Sequence, residues 1–397
     1  MSIDLADPDT YTHGIPHDVF RQLRADDPIS WRPDTIAGSF WAITRHRDAV
    51  AVLRDPETYS SWSGSVLLAD PPPEFLVKLR ESMMNSDPPA HTRLRRMINR
   101  ALNPRRIERL ESRIAEHAAM LVDRVRDRGS CDFAIDIAEE MPLFMICEIL
   151  GVPIEDRRGL YALTMRMFST LIQDPDEAMR DKLRAAADMR AYGSKLWQSK
   201  LASPTDDLAT ELAQAVEASM LTANEFEALF MLLFNAGTDT TRSLLCYGLD
   251  LLLDRPAVVD ALRRDAGRIP SAIEEMLRCE PPVIQIRRTA TRDAELSGVR
   301  IGHGDKVVVF FPSANRDESV FSEPDVFDID RSPNDHIAFG YGTHHCLGAP
   351  LARLEAKHVF IQVLAKLSRL ERRAPAVPLR TNFVRGMKSL EIQFAAT

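Results

Sequence analysis

One ten-residue segment, F-G-Y-G-T-H-H-C-L-G at 339–348, restricts the possible folds of this chain more than any other. Cys346 follows Gly340 and Gly342 and precedes Gly348; a helical apolar pattern opens directly behind it with Ala349, Leu351, Ala352, Leu354 and Ala356. Glycine lets a backbone adopt positive φ and approach another body closely. A helix start aims unpaired N–H groups and the positive end of the helix dipole at whatever lies before it. A thiol held there is expected to ionise more readily than a free one. Such a loop suits a sulfur anion presented to a flat or bulky partner. Two plainer readings use the same residues: an inert cysteine packed in a turn, or zinc bound by His344, His345 and Cys346. Adjacent side chains do not readily surround one tetrahedral ion, and the sequence has no C-x-x-C pair to complete it.

A second stretch, L-F-N-A-G-T-D-T-T at 233–241, lies inside an otherwise apolar helical pattern running from Phe226 to Leu253. A helix apolar over most of its circumference is buried, and buried helices avoid Asn, Gly, Thr and Asp together. Polar residues in mid-helix often mark a kink, with threonines competing for backbone carbonyls. Asn235, one turn before Asp239, is a buried amide that needs a partner: a substrate oxygen, a neighbouring carbonyl or a water. Glu275 and Arg278 are three apart on one helix face and can pair, although exposed pairs of this kind contribute below about 1 kcal/mol. In D-P-P-A-H-T-R-L-R-R, 87–96, the prolines suit a first helical turn with Asp87 as N-cap. His91 and Arg95 then share a face and can both donate to an anionic oxygen.

Together these segments resemble the cytochromes P450, whose haem-binding loop carries Phe, Gly, His, Cys and Gly at the spacings of 339–348. The resemblance implies haem b (iron protoporphyrin IX) with Cys346 as axial thiolate, a ligand that favours O–O cleavage. Phe339 would lie against the porphyrin, Gly340 and Gly348 would let the loop approach it, and His344 would hydrogen-bond a propionate. His91 and Arg95 would grip a propionate too. Arg288 would hold the other side of the haem, with Arg287 as the rival register. The helix from Phe226 would cross above the haem, with Ala236 and Gly237 lining the oxygen pocket. Asp239 and Thr240 would deliver protons to dioxygen; the plainer alternative bonds Thr240 to the carbonyl four residues back. Glu275, Arg278 and Arg331 would form a buried network that specifies the fold. Leu232, Asn235, Ile284 and Val384 would line the substrate pocket. Trp62, Val66, Leu67, Leu68, Met83, Met84 and the region 165–172 would supply further walls.

The activity implied is insertion of one oxygen atom from O2 into a hydrophobic small molecule of terpenoid, steroid or branched-lipid type. Epoxidation, phenol coupling, nitration, or a haem-thiolate sensor without turnover are the alternatives; the Asp239–Thr240 pair favours turnover. The electron donor implied is a ferredoxin with its reductase, since no G-x-G-x-x-G occurs. Arg93, Arg95, Arg96, Arg100, Arg105, Arg106, Arg353 and Lys357 could form a basic patch on the thiolate side to steer it, or a solvated helix face. A formal charge of −8 argues against general nucleic-acid affinity. Five scattered cysteines fit a reducing cytoplasm, and the lack of any run of about 18 apolar residues predicts no membrane anchor.

Periodicity predicts helix over 16–31 as far as Pro28, a strand at 40–44, helix at 48–53 and irregular chain over 59–87, where Pro71, Pro72 and Pro73 oppose helix. It predicts helix over 90–128, 139–151, 155–173, 176–201, 206–218 and 222–253, then alternating strands over 283–312. One helix follows Cys346, and the last 25 residues read as a strand hairpin. The expectation is one domain over 1–397, mainly α with a minor β portion, in the cytochrome P450 fold.

Overall fold

The computed structural model describes residues 3–33, 37–101, 104–168 and 174–396. Helices come first as α1 (His17–Asp26), α2 (His46–Arg54), α3 (Pro73–Leu79), α4 (Ala90–Ala101) and α5 (Pro104–Arg126). The middle of the chain forms α6 (Glu140–Leu150), α7 (Arg157–Phe168), α8 (Pro175–Ala202), α9 (Leu208–Glu217) and α10 (Ala223–Leu253). Then follow α11 (Pro256–Arg264), α12 (Ile269–Cys279), α13 (Phe311–Ala314) and α14 (Ala349–Lys366). The strands are β1 (Ile29–Arg32), β2 (Phe40–Ile43), β3 (Tyr59–Ser60), β4 (Ser130–Asp132), β5 (Gln285–Ala290) and β6 (Ala294–Leu296). Nearer the C-terminus lie β7 (Val299–Ile301), β8 (Lys306–Phe310), β9 (Leu367–Arg372), β10 (Val377–Pro378), β11 (Met387–Ser389) and β12 (Glu391–Ala396). Helix predominates and sheet is minor.

One sheet runs β1-β2-β8-β5-β3, with β2 and β8 parallel and the other neighbours antiparallel. A second runs β4-β12-β9, so the C-terminal strand ties the middle of the chain to the strand after α14. The two remaining pairs are the hairpins β6-β7 and β10-β11. Helices α6, α8, α9, α11, α12 and α14 pack against α10, which a capping box between Thr222 and Glu225 starts. Phe226, Phe230 and Phe234 of α10 are fully buried, as are Leu245 and Leu249 further along. Each such side chain contributes roughly 1.5–3 kcal/mol of apolar burial.

Several expectations change. The helix after 16 stops at Asp26, and 29–32 extends as β1 with Ile29 and Ser30 turned inward. The proline run does not exclude helix: Pro73 occupies the first turn of α3, where its missing N–H costs nothing. The span 90–128 holds two helices, α4 and α5, and 102–103 lie outside the described residues. The last residues form one hairpin plus a strand that pairs elsewhere.

Candidate functional site

The loop before α14 is held by its own backbone. The Cys346 amide donates to Phe339 O at 2.8 Å, and Gly340 and Gly342 take φ of 72° and 65°. A side chain at Gly342 would also meet Leu53 O at 2.5 Å. Gly348 differs, with an ordinary φ of −82°; its value is closeness, since a Cβ there would lie 3.9 Å from Cys346 Sγ. Arg95, on α4, donates to the carbonyls of Thr343 at 3.0 Å and His345 at 2.7 Å. Cys346 opens onto a cavity while protein packs closely around it. Burial therefore pushes its thiol above the ordinary value, against the Gly348 amide, Arg95, the Ala349 amide and Arg353. This corrects the expectation of a readily ionised thiol: the helix start helps the anion, but desolvation outweighs it until a cation sits opposite.

The cavity encloses about 2030 Å³ and is bounded by this loop, by α10 and by the cavity-facing side of α8. Leu232, Asn235, Ala236, Gly237, Asp239 and Thr240 line it from α10, and Val384 from the C-terminal segment. Gly237 has a packing reason as well: a Cβ would meet Ile146 of α6 at 2.9 Å. Burial raises the Asp239 carboxyl to about 6, with Glu139 adding to that and Arg242 and Tyr161 opposing it. Its Oδ1 is buried without a hydrogen-bond partner among the described residues. The Thr240 hydroxyl donates to Ala236 O at 2.9 Å, the bond to the carbonyl four residues back, while the residue still lines the cavity. Asn235 Oδ1 accepts from the Thr164 hydroxyl at 2.7 Å.

Two proposed wall residues lie elsewhere. Ile284 is fully buried and packs with Leu5, Phe20 and Phe310, because its N–H bonds Phe383 O and its carbonyl takes the Phe311 N–H. Val283 and Ile286 line the cavity instead. Trp62 is 44% exposed and sits beneath the Arg80 guanidinium. Val66, Leu67, Leu68, Met83, Met84 and Met165 do line the cavity; 169–172 lie outside the described residues.

Beside Cys346 gathers a set of nitrogens with few acceptors. The His91 and His344 rings lie against each other at a tilt, with centroids 4.2 Å apart, and both His91 nitrogens are buried without a partner among the described residues. Burial, with neighbouring Arg95 and Arg288, holds the His91 ring near 4; burial and the same arginines plus His91 hold His344 at about 2. Arg288 is buried, lowered by burial to about 10, and among the described residues it donates only to the Arg287 carbonyl, at 2.8 Å. Arg287 points the other way, onto Asp70 at 2.6 Å and the carbonyls of Leu67, Leu68 and Ala69. Asp87 does not cap α4; its carboxylate accepts from the Ser60 hydroxyl at 2.5 Å and the Ser61 amide at 2.9 Å.

The cytochrome P450 family model matches residues 161–394. The chain is 38% identical over 408 residues to cytochrome P450 126 of Mycobacterium tuberculosis, covering 98% of this chain and 97% of that one. It belongs to the cytochrome P450 family. This P450 is also 33% identical to linalool 8-monooxygenase of Pseudomonas putida, with 98% of each chain covered. A Mycobacterium marinum cytochrome P450 solved with pseudoionone matches it with a TM-score of 0.92 at 33% identity, covering 99% of both chains. The family is one of haem-thiolate monooxygenases using a substrate, O2 and a redox partner. The residues present fit such a cofactor: a thiol faces the cavity, and two buried histidine nitrogens and a buried guanidinium await an anion.

Elsewhere in this P450, Glu275 and Arg278 form two parallel 2.7 Å bonds at zero exposure, and Arg331 joins at 3.2 Å. The Asp328 amide and Asn334 add bonds of 2.9 and 3.1 Å. Burial would raise Glu275, but Arg278, that amide and Arg331 hold it below the usual carboxylate range. Four of the eight residues of the expected basic patch are paired with carboxylates of the same chain. Arg93 pairs with Glu225, Arg106 with Glu211, Arg353 with Glu274 at 2.7 Å and Lys357 with Glu111 at 2.9 Å. The side chains of Arg100 and Arg105 lie outside the described residues, and Arg96 is exposed. Among the described residues no helix is long and apolar enough to cross a membrane.

Sequence reading missed Glu355. It is buried, lines the same cavity, has no partner for its Oε2 among the described residues, and burial raises its carboxyl well above the usual range. A signal was present, because Glu355 falls on the stripe of Leu351, Val359 and Val363 at helical spacing. The bonds that hold Arg242 beside Asp239, to Tyr161 Oη at 3.1 Å and Met387 O at 2.8 Å, left none.

Proposed function

We propose that the cavity holds haem b with Cys346 as its axial thiolate, in a single catalytic domain spanning 1–397 that works in the cytoplasm. The reaction is insertion of one oxygen atom from O2 into a hydrophobic terpenoid, steroid or branched-lipid molecule, with electrons from a ferredoxin and its reductase. One observation carries this reading: beside the cavity-facing thiol, His91, Arg95, Arg288 and His344 converge with no carboxylate bonded to any of them among the described residues. Two propionates would supply that missing negative charge. The haem, when bound, supplies the oxidation chemistry itself, and the protein supplies position and electrostatics.

Each residue then has a task. Arg95 ties α4 to the Cys346 loop and faces a propionate; Arg288 and the neutral rings of His91 and His344 offer further donors. Phe339, under the Arg353 guanidinium at 4.4 Å, gives the sulfur an apolar neighbour. Asp239 holds a proton at about pH 6 and lower and releases it above, which suits passing a proton from water toward the cavity, with Arg242 and Tyr161 favouring its carboxylate form. Thr240 spends its hydrogen on Ala236 O, so its oxygen is free to accept a proton-bearing water. Leu232, Val283, Ile286 and Val384 exclude water and favour an apolar guest. The names linalool 8-monooxygenase and pseudoionone, attached to relatives, support an isoprenoid guest. Arg96, exposed on α4, supports an acidic donor protein.

The test is spectroscopic. Reduced protein under carbon monoxide should give the red-shifted Soret band of thiolate-ligated haem, and Cys346→Ala should lose it. A band that survives Cys346→Ala removes the assignment.

A further inference from the structure

Three amides line the cavity: Asn85 donates to Leu79 O and Asn382 to Ala6 O, whereas Asn235 is held through its oxygen. Asn235 projects from α10 one turn before Asp239, and its Oδ1 accepts the Thr164 hydroxyl at 2.7 Å. Thr164 is fully buried on α7, so it has no solvent to turn to. A hydroxyl has one hydrogen to give. The other acceptor within reach, Leu160 O, is 3.4 Å away, too long to compete with a 2.7 Å bond. The hydrogen therefore goes to Asn235 Oδ1; turned over, the amide would donate Nδ2–H to Thr164 Oγ and leave the Thr164 hydrogen only the 3.4 Å contact to Leu160 O, so the observed orientation is the better satisfied. Its Nδ2 is left on the cavity side, with no hydrogen-bond partner among the described residues.

We propose that Asn235 is a specificity-determining residue whose Nδ2–H donates to an acceptor oxygen of the substrate, a carbonyl or ether, and that Thr164 is the positioning residue that fixes this polarity. This rests on the proposed monooxygenase reading and narrows its substrate class. The guest is an apolar molecule with a carbonyl or ether oxygen near its reacting end rather than at its far end. Four residues of helix advance about 6 Å, so the oxygen is held that far along α10 from Asp239. A pure hydrocarbon leaves the amide dry and unpaired, which selects against it.

Purified haem-loaded protein is titrated with matched pairs, each a ketone and the hydrocarbon with methylene in place of the carbonyl, from terpene, steroid and fatty-chain series. The readout is the low-spin to high-spin shift, which measures binding without turnover. Within pairs the ketone is expected to bind about ten-fold tighter. Asn235→Leu should erase that gap, and Thr164→Val, which frees the amide to rotate, should narrow it while leaving the carbonyl-complex band intact. Equal affinity within the pairs, a gap that survives Asn235→Leu, a preference for alcohols over ketones, or no ketone shifting the spectrum each overturns the proposal. If Asn235→Leu does not load haem, the wild-type pairs and Thr164→Val still decide. A normal carbon monoxide band without ketone preference refutes this inference alone, whereas a missing band refutes the cofactor reading beneath it.

Discussion

An exposed aspartate ionises near pH 4, yet Asp239 does so at about 6 because α10 buries it beside Glu139, with Arg242 and Tyr161 only partly compensating. A carboxyl raised on folding stabilises the protein below its unfolded value, and that contribution is lost as pH rises through the folded value. Asp239→Asn should therefore gain stability relative to wild type above pH 6 and not at pH 4, as measured by denaturant unfolding at both. The same variant cannot pass a proton, so product formation should fall about 10²-fold, while spectral binding of substrate stays within about two-fold. A variant with unchanged turnover would make Asp239 a structural residue. Glu355, also raised by burial, faces the same cavity. Residues whose meaning lies in near neighbours were legible: Cys346 between its glycines, and His91 four before Arg95. Thr164, 71 residues from Asn235, was not.

At the level of elements, α12 and the segment 315–334 are joined by one buried charge cluster. Arg278 reaches the carbonyls of Asn315, Pro324 and Val326, and Arg331 bonds those of Ser322, Glu323 and Val326. Removing one partner strands a charge that has no water, so Arg331→Ala should destabilise by about 3–5 kcal/mol and lower haem retention. The pH sign is opposite to that of Asp239. Glu275 is held low, so its contribution is present above the unfolded carboxyl value and disappears as pH falls through the folded one. Without Arg331 that folded value rises, and acid unfolding should begin at higher pH in the variant; an identical acid limb would remove the network from the account. The E-x-x-R spacing was readable from sequence, but the carbonyl cage around Arg278 needs a chain segment some 37–48 residues away.

For the whole molecule, charge on the Cys346 side is set by pairing more than by composition. Four of the expected basic residues already face carboxylates of the same chain, and Arg96 is exposed without a partner among the described residues. Reduction by an acidic ferredoxin should therefore slow several-fold in Arg96→Glu at low salt. The difference should vanish near 1 M salt, where charges are screened beyond about 3 Å; a salt-independent rate would exclude steering from this face. The sequence by itself determined the family, the mostly helical architecture, the thiol and the α10 polar stretch, because each depends on spacing within one element or loop. Only the tertiary structure decided that Arg288 rather than Arg287 stands by the histidines, that Ile284 leaves the cavity to Val283 and Ile286, and that four residues of the basic patch are paired within the chain. It alone also raised the Cys346 thiol, fixed the Asn235 amide and closed the cavity around Glu355. Those outcomes come from burial and from contacts between residues far apart in the chain, and neither is written in local spacing.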